Sequence, residues 1–187
     1  MRPMEKGTGH TIAWGLRALL GGGAIYFLLN GNWSLFGILL LALGGSGIVH
    51  YITKHYFGNT GEWMDLLFGV LVVFNNLLGL GFDFYHTVPG WDVATHYTTS
   101  LFLAVSALIL IQKGYPQFLA NAPHALVGGA LILFSLGLGG LWEIGEFLSD
   151  YFRGTDFQQG LVNTMQDLIV DMMAGLIVGY AWVTRPK

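Results

Sequence analysis

Residues 121–150, NAPHALVGGALILFSLGLGGLWEIGEFLSD, decide the fold class. The first twenty contain no Asp, Glu, Lys or Arg. At a rise of about 1.5 Å per residue, a helix of that length spans roughly the 30 Å hydrocarbon core of a bilayer. In that solvent a lone segment satisfies its own backbone N–H and C=O groups only as a helix. The run then closes with Glu143, Glu146 and Asp150, spaced i, i+3 and i+7, which share one helical face. A chemical question follows: what holds three acids on one stripe at the end of so apolar a helix?

The same apolar signature recurs along the chain. Of its 187 residues, 53% are hydrophobic and 10% charged, against about 25% charged in a soluble domain. Mean hydropathy is +0.58. Six runs, residues 11–29, 33–51, 63–81, 91–111, 125–147 and 163–183, are predicted to cross the membrane. The expected fold is therefore an all-α, polytopic six-helix bundle forming a single domain over residues 1–187. The first run follows the basic segment MRPMEK, but it contains Arg17 and no small-residue cleavage site closes it. It reads as a retained helix, not a leader. Trp33, Trp63, Trp91, Trp142 and Trp182 fall near predicted ends, as interfacial anchors do. Glycines at 21–23, 44–47 and in SLGLGG at 135–140 permit close helix approach. Cysteine is absent, which excludes disulfides, cysteine-ligated clusters and thiolate metal sites.

Basic residues orient the bundle. Arg2, Lys6, Lys54, Lys113, Arg185 and Lys187 fall on one side of the predicted topology and Arg153 on the other. The positive-inside rule then places both termini in the cytoplasm. On the far side the potential ligands gather. Asp83 and His86 lie in the loop between the third and fourth spans. Asp92 and His96 stand i, i+4 at the start of the fourth, Glu143 and Glu146 end the fifth, and Asp167 and Asp171 stand i, i+4 in the first half of the sixth. Asp150 and Asp156 read as solvated loop residues. Glu5, Glu62 and Asp65, with His10, His50, His55 and His124, read as interfacial groups of the cytoplasmic side, and Asn75 and Asn76 as interhelical hydrogen-bonding groups.

His96, Glu143, Asp167 and Asp171 are predicted to lie a turn or more inside. An ionised carboxylate there costs about 2.5–3.5 kcal/mol on insertion scales, and neighbouring acids repel one another. Three arrangements meet that cost: a bound cation, a protonated polar network, or acids wetted by the interface, with Asp92 and Asp167 also favoured by helix N-termini. A cation neutralises the most charge. The candidate metal ligands are Asp83, His86, Asp92, His96, Glu143, Glu146, Asp167 and Asp171. Oxygen donors with an imidazole or two and no sulfur suit one or two divalent ions, Zn, Mn or Fe ahead of Ca or Mg. The Glu-x-x-His pair of di-iron bundles is missing; Asp83-x-x-His86 and Glu143-x-x-Glu146 stand instead. The recurrence of an acid and a second ligand four residues on, Asp92/His96 and Asp167/Asp171, suggests a duplication of the last two hairpins.

DFYHTVPGWDVATHY, WEIGEF and NTMQDLIVDMMAG resemble the YjdF-like family of small inner-membrane proteins, over roughly residues 60–182. The resemblance implies an inner-membrane location and a site on the same candidate ligands, and names no activity. The segment FRGTDFQQGLVNT departs from the family pattern, so Asp156 and Gln158 are not carried over.

Three functions stay open. One is a metal-dependent hydrolase in which an activated water attacks a lipid-linked or small-molecule substrate, with Glu143 and Glu146 catalytic and Glu146 as general base. Another is a transporter or channel for protons or divalent cations. The third is a non-catalytic metal-binding subunit. Membrane lipid is the expected partner, nucleic acid is not, and neither substrate nor oligomeric state can be read. The cytoplasmic half offers only Arg17, the near-interfacial Asp65 and uncharged polar groups. That asymmetry favours a one-sided pocket, and so the enzyme.

Overall fold

The computed structural model describes residues 8–185. Arg2, Lys6 and Lys187, used above for orientation, and Glu5, read as interfacial, lie outside the described residues. Among the described residues the secondary structure is helical, without strands. Six helices are long and apolar enough to cross a membrane: α1 (Thr8–Leu29), α2 (Trp33–Tyr56), the Thr60–Gly81 span, α5 (Trp91–Gly114), α7 (His124–Arg153) and α8 (Leu161–Val183). The third of these is α3 (Asn59–Val72) continued by a π-helical segment, Val73–Gly81; α4 (Phe84–Thr87) and α6 (Pro116–Asn121) are short connectors. Several helices outrun the apolar runs that predict them. Residues such as Lys54, His55 and Asp150 continue the backbone ladder beyond the apolar runs, because helix propensity does not stop where hydrophobicity does.

The chain separates into two compact units, Met1–Trp91 and Asp92–Lys187. In the first, α1, α2 and α3 pack on one another around Leu20, Ala24, Phe27, Leu39, Val72, Val73 and Leu77. A buried ionic group sits among them. The Arg17 guanidinium donates to both carboxylate oxygens of Asp65 and, at 2.9 Å, to the carbonyl of Ser46. The His50 Nδ1 lies 2.8 Å from Asp65 Oδ2. Asp65 is thus not the interfacial acid expected, and His50 not a free interfacial imidazole: an Arg placed mid-helix in an apolar bundle draws its counter-ion inward. Asn75 meets the expectation through its Oδ1, which accepts from the Tyr85 hydroxyl of α4 at 2.8 Å. The Asn75 and Asn76 amides also donate to carbonyls of their own helix, Leu71 O at 2.8 Å and Val72 O at 3.0 Å, where the ladder widens into the π-helical segment.

The second unit is built on buried stripes of i+4 period. α5 presents Asp92, His96, Ser100 and Ala104; α7 presents Leu131, Ser135, Gly139 and Glu143; α8 presents Asp167, Asp171, Gly175 and Gly179. Each stripe is polar towards one end and small or apolar towards the other. Small residues let helix backbones approach closely in lipid. A Cβ on Gly179 would stand 2.7 Å from the Gly128 carbonyl oxygen, closer than side chains tolerate. The apolar end closes around Ala104, Leu119, Val127, Leu131, Val178 and Trp182. The two hairpins suspected of duplication differ in form. One runs through the π-helical segment and α4, the other from α7 to α8 through residues 154–160 without a helix, so the fold does not show the repeat.

Candidate metal centre

The centre lies in the second unit, where the polar ends of α5, α7 and α8 meet. Asp92 and His96 are one turn apart on α5, and Asp167 comes from α8; all three are buried. Each offers one donor atom, and the three donors lie within 4.8 Å of one another. At metal–ligand distances of about 2.0–2.2 Å, one ion reaches all three with small side-chain adjustments.

His96 is held for this task. Its Nδ1 lies 3.2 Å from Asp171 Oδ2, while the other oxygen of Asp171 accepts a 2.6 Å hydrogen bond from Ser100 Oγ. With Nδ1 donating to that carboxylate, the neutral imidazole would turn an Nε2 lone pair to a cation, the arrangement that orients ligating histidines. The Nε2 has no hydrogen-bond partner. It faces Asp92 Oδ1 at 3.9 Å and Glu143 Oε1 at 3.6 Å. Asp92 is steadied from its far side, its Oδ2 accepting from the Asn163 amide at 2.9 Å. Asp167 is fully buried, and neither of its oxygens has a partner. The same holds for both oxygens of Glu143. Buried polar atoms are nearly always paired, so partnerless carboxylate oxygens gathered around one imidazole fit a cation. Oxygens plus one imidazole fit a borderline or hard divalent ion. The basic group within 4 Å of Asp92, Glu143 and Asp171 is in each case the His96 imidazole, at 3.9, 3.6 and 3.2 Å. Arg153 is exposed at the end of α7, and Arg185 stacks on the Trp182 ring.

The expected ligands divide accordingly. Asp92, His96, Glu143, Asp167 and Asp171 are brought together, with Asp171 engaged by Ser100 and the imidazole. Glu146 is half-buried one turn beyond Glu143; its Oε1 accepts from the Trp142 indole at 2.8 Å and its Oε2 is buried without a partner. Asp83 and His86 belong to the first unit, where both are exposed and pair with each other at 2.5 Å. Asp150, expected in a solvated loop, is in the last turn of α7. Its carboxylate accepts from Thr155 Oγ1 and from the backbone of Phe157 and Gln158 at 2.6–2.9 Å, tying down the connection to α8. Sequence reading missed Ser100 and Asn163. Both extend the i+4 stripes, Asp92–His96–Ser100 and Asn163–Asp167–Asp171, so the spacing carried the signal.

A family profile described as a predicted membrane protein, DUF2238, matches residues 10–186 and so takes in all of the stretch that resembles the YjdF-like proteins. No curated protein and no solved structure matches the chain.

Proposed function

The chain belongs to the DUF2238 family of membrane proteins, and from that premise we propose that its second unit is a membrane-embedded, metal-dependent hydrolytic centre. The observation that carries this reading is the His96 imidazole. Asp171 occupies its Nδ1, and its partnerless Nε2 lies 3.9 Å from Asp92 Oδ1 and 3.6 Å from Glu143 Oε1, with an Asp167 donor in the same group. Asp92, His96 and Asp167 hold the ion; Asp171, backed by Ser100, positions the imidazole and is itself no ligand. A bound Zn, Mn or Fe ion supplies Lewis acidity to a water or a substrate oxygen.

Glu146 serves as the general base. It is half-buried where its helix nears the polar end, one oxygen is oriented by the Trp142 N–H, and the other is free to take a proton. Beyond the site the buried surface of this unit becomes apolar, with Ala104, Leu131, Val178 and Trp182. That supports a pocket entered from one end over a conduit for ions. A lipid-linked or small-molecule substrate at the lipid–water boundary fits such access.

The test uses the full chain in lipid nanodiscs, assayed for bound Zn, Mn and Fe and for hydrolysis of ester, phosphoester and amide lipids. Wild type should retain metal. Asp167→Asn and His96→Ala should lose at least tenfold in affinity. Glu146→Gln should keep the metal and lose about 100-fold or more in turnover, within the range of general-base catalysis. Equal metal content in wild type and Asp167→Asn would end the metal reading, and metal without any metal-dependent turnover would end the hydrolytic one.

A further inference from the structure

We propose that the centre is dinuclear, with Glu143 holding a second divalent ion and Asp167 bridging the two. This rests on the reading of Asp92, His96 and Asp167 as the site of the first ion. The argument is one of charge and of partners. A first dication is balanced by the Asp92 and Asp167 carboxylates. Asp171 is satisfied by Ser100 and the imidazole. Glu143 is left over: it is only 4% exposed, neither oxygen has a hydrogen-bond donor, and its contact is Oε1 at 3.6 Å from His96 Nε2. A first ion bound at Nε2 takes up the lone pair there and leaves Glu143 an uncompensated buried anion.

Asp167 supplies the other half of the argument. It enters the three-donor group through one oxygen, yet both of its oxygens are partnerless and fully buried. One carboxylate with two free oxygens can bind one ion through each, as in two-metal sites with ions about 3.5–4 Å apart. Glu143 and a second Asp167 oxygen then hold the second ion, and Glu146 remains outside as the base.

The probe is Mn²⁺ alone, titrated into metal-stripped full-length protein in nanodiscs, with bound Mn counted per chain and the spin state read by electron paramagnetic resonance. Wild type should bind two Mn²⁺ per chain and give an exchange-coupled spectrum. Glu143→Gln should bind one and give the six-line spectrum of an isolated ion, and Glu143→Asp, which keeps the charge, should restore coupling. Were Glu143→Gln to misfold, the wild-type count and spectrum decide by themselves. One uncoupled Mn²⁺ per wild-type chain overturns the second ion and leaves the mononuclear reading standing. Two coupled ions in Glu143→Gln overturn the assignment to Glu143, and no bound metal at all overturns both readings.

Discussion

Gly139 is where α7 passes the Asp171 carboxylate, and a Cβ there would overlap the carboxylate itself. The absence of a side chain at this one position lets Asp171 stay between Ser100 and His96. Gly139→Ala should therefore act twice. It should destabilise the protein by about 1–3 kcal/mol, as overpacking does, and it should weaken metal retention by turning His96 out of register. Its neighbour gives the control: a Cβ on Gly140 meets nothing closer than Leu168 Cδ2 at 4.0 Å. Gly140→Ala should be neutral or slightly stabilising, since alanine suits a helix better than glycine by roughly 0.5–1 kcal/mol. Thermal melts with and without added metal measure both terms. Equal behaviour of the two variants would remove Gly139 from the account of the site. Both glycines sit in the same SLGLGG run; only the helix facing them tells them apart.

Between elements, a buried ion pair in the first unit joins α1 to α3 through Arg17 and Asp65. Such pairs are asymmetric. Losing one partner strands a charge in an apolar setting, whereas losing both does not. Arg17→Met should cost about 3–5 kcal/mol and Asp65→Leu a comparable amount. The double variant should recover most of that loss, reading out as a large coupling energy in a double-mutant cycle of melting midpoints. Additive single effects would show that the two side chains do not depend on each other. Asp150 plays a comparable part between α7 and α8: three hydrogen bonds to one carboxylate fix the connection that leads to Asn163 and Asp167.

At the scale of the whole molecule, we expect orientation to follow from charge on the connections. Lys54 and Lys113 lie towards one side of the span order and Arg153 towards the other. We expect reporters fused after Gly58, Val88, Phe118 and Asp156 to alternate in, out, in, out, with the Asp92–His96–Asp167 group near the outer face. The reverse alternation would put that group at the cytoplasmic face, where the supply of ions and substrates differs. A break in the alternation would argue that one of the six apolar helices lies along the membrane instead of through it.

The helices were legible from the chain because lipid leaves the backbone no other partner than itself, so twenty apolar residues dictate a helix whatever packs against it. The i, i+4 pairs were legible too, being fixed by helical pitch alone: Asp92 with His96, and Asp167 with Asp171. Roles were not. That Asp171 grips the imidazole while Asp167 stands open, and that Asp65 gathers both Arg17 and His50, depends on side chains up to 75 residues apart in sequence. Their meeting is set by the rotation and axial offset of one helix against another. Those two quantities come from the summed packing of small residues such as Gly128, Gly139 and Gly179. Each contact is weak and shared among helices, so no single stretch of sequence states the result.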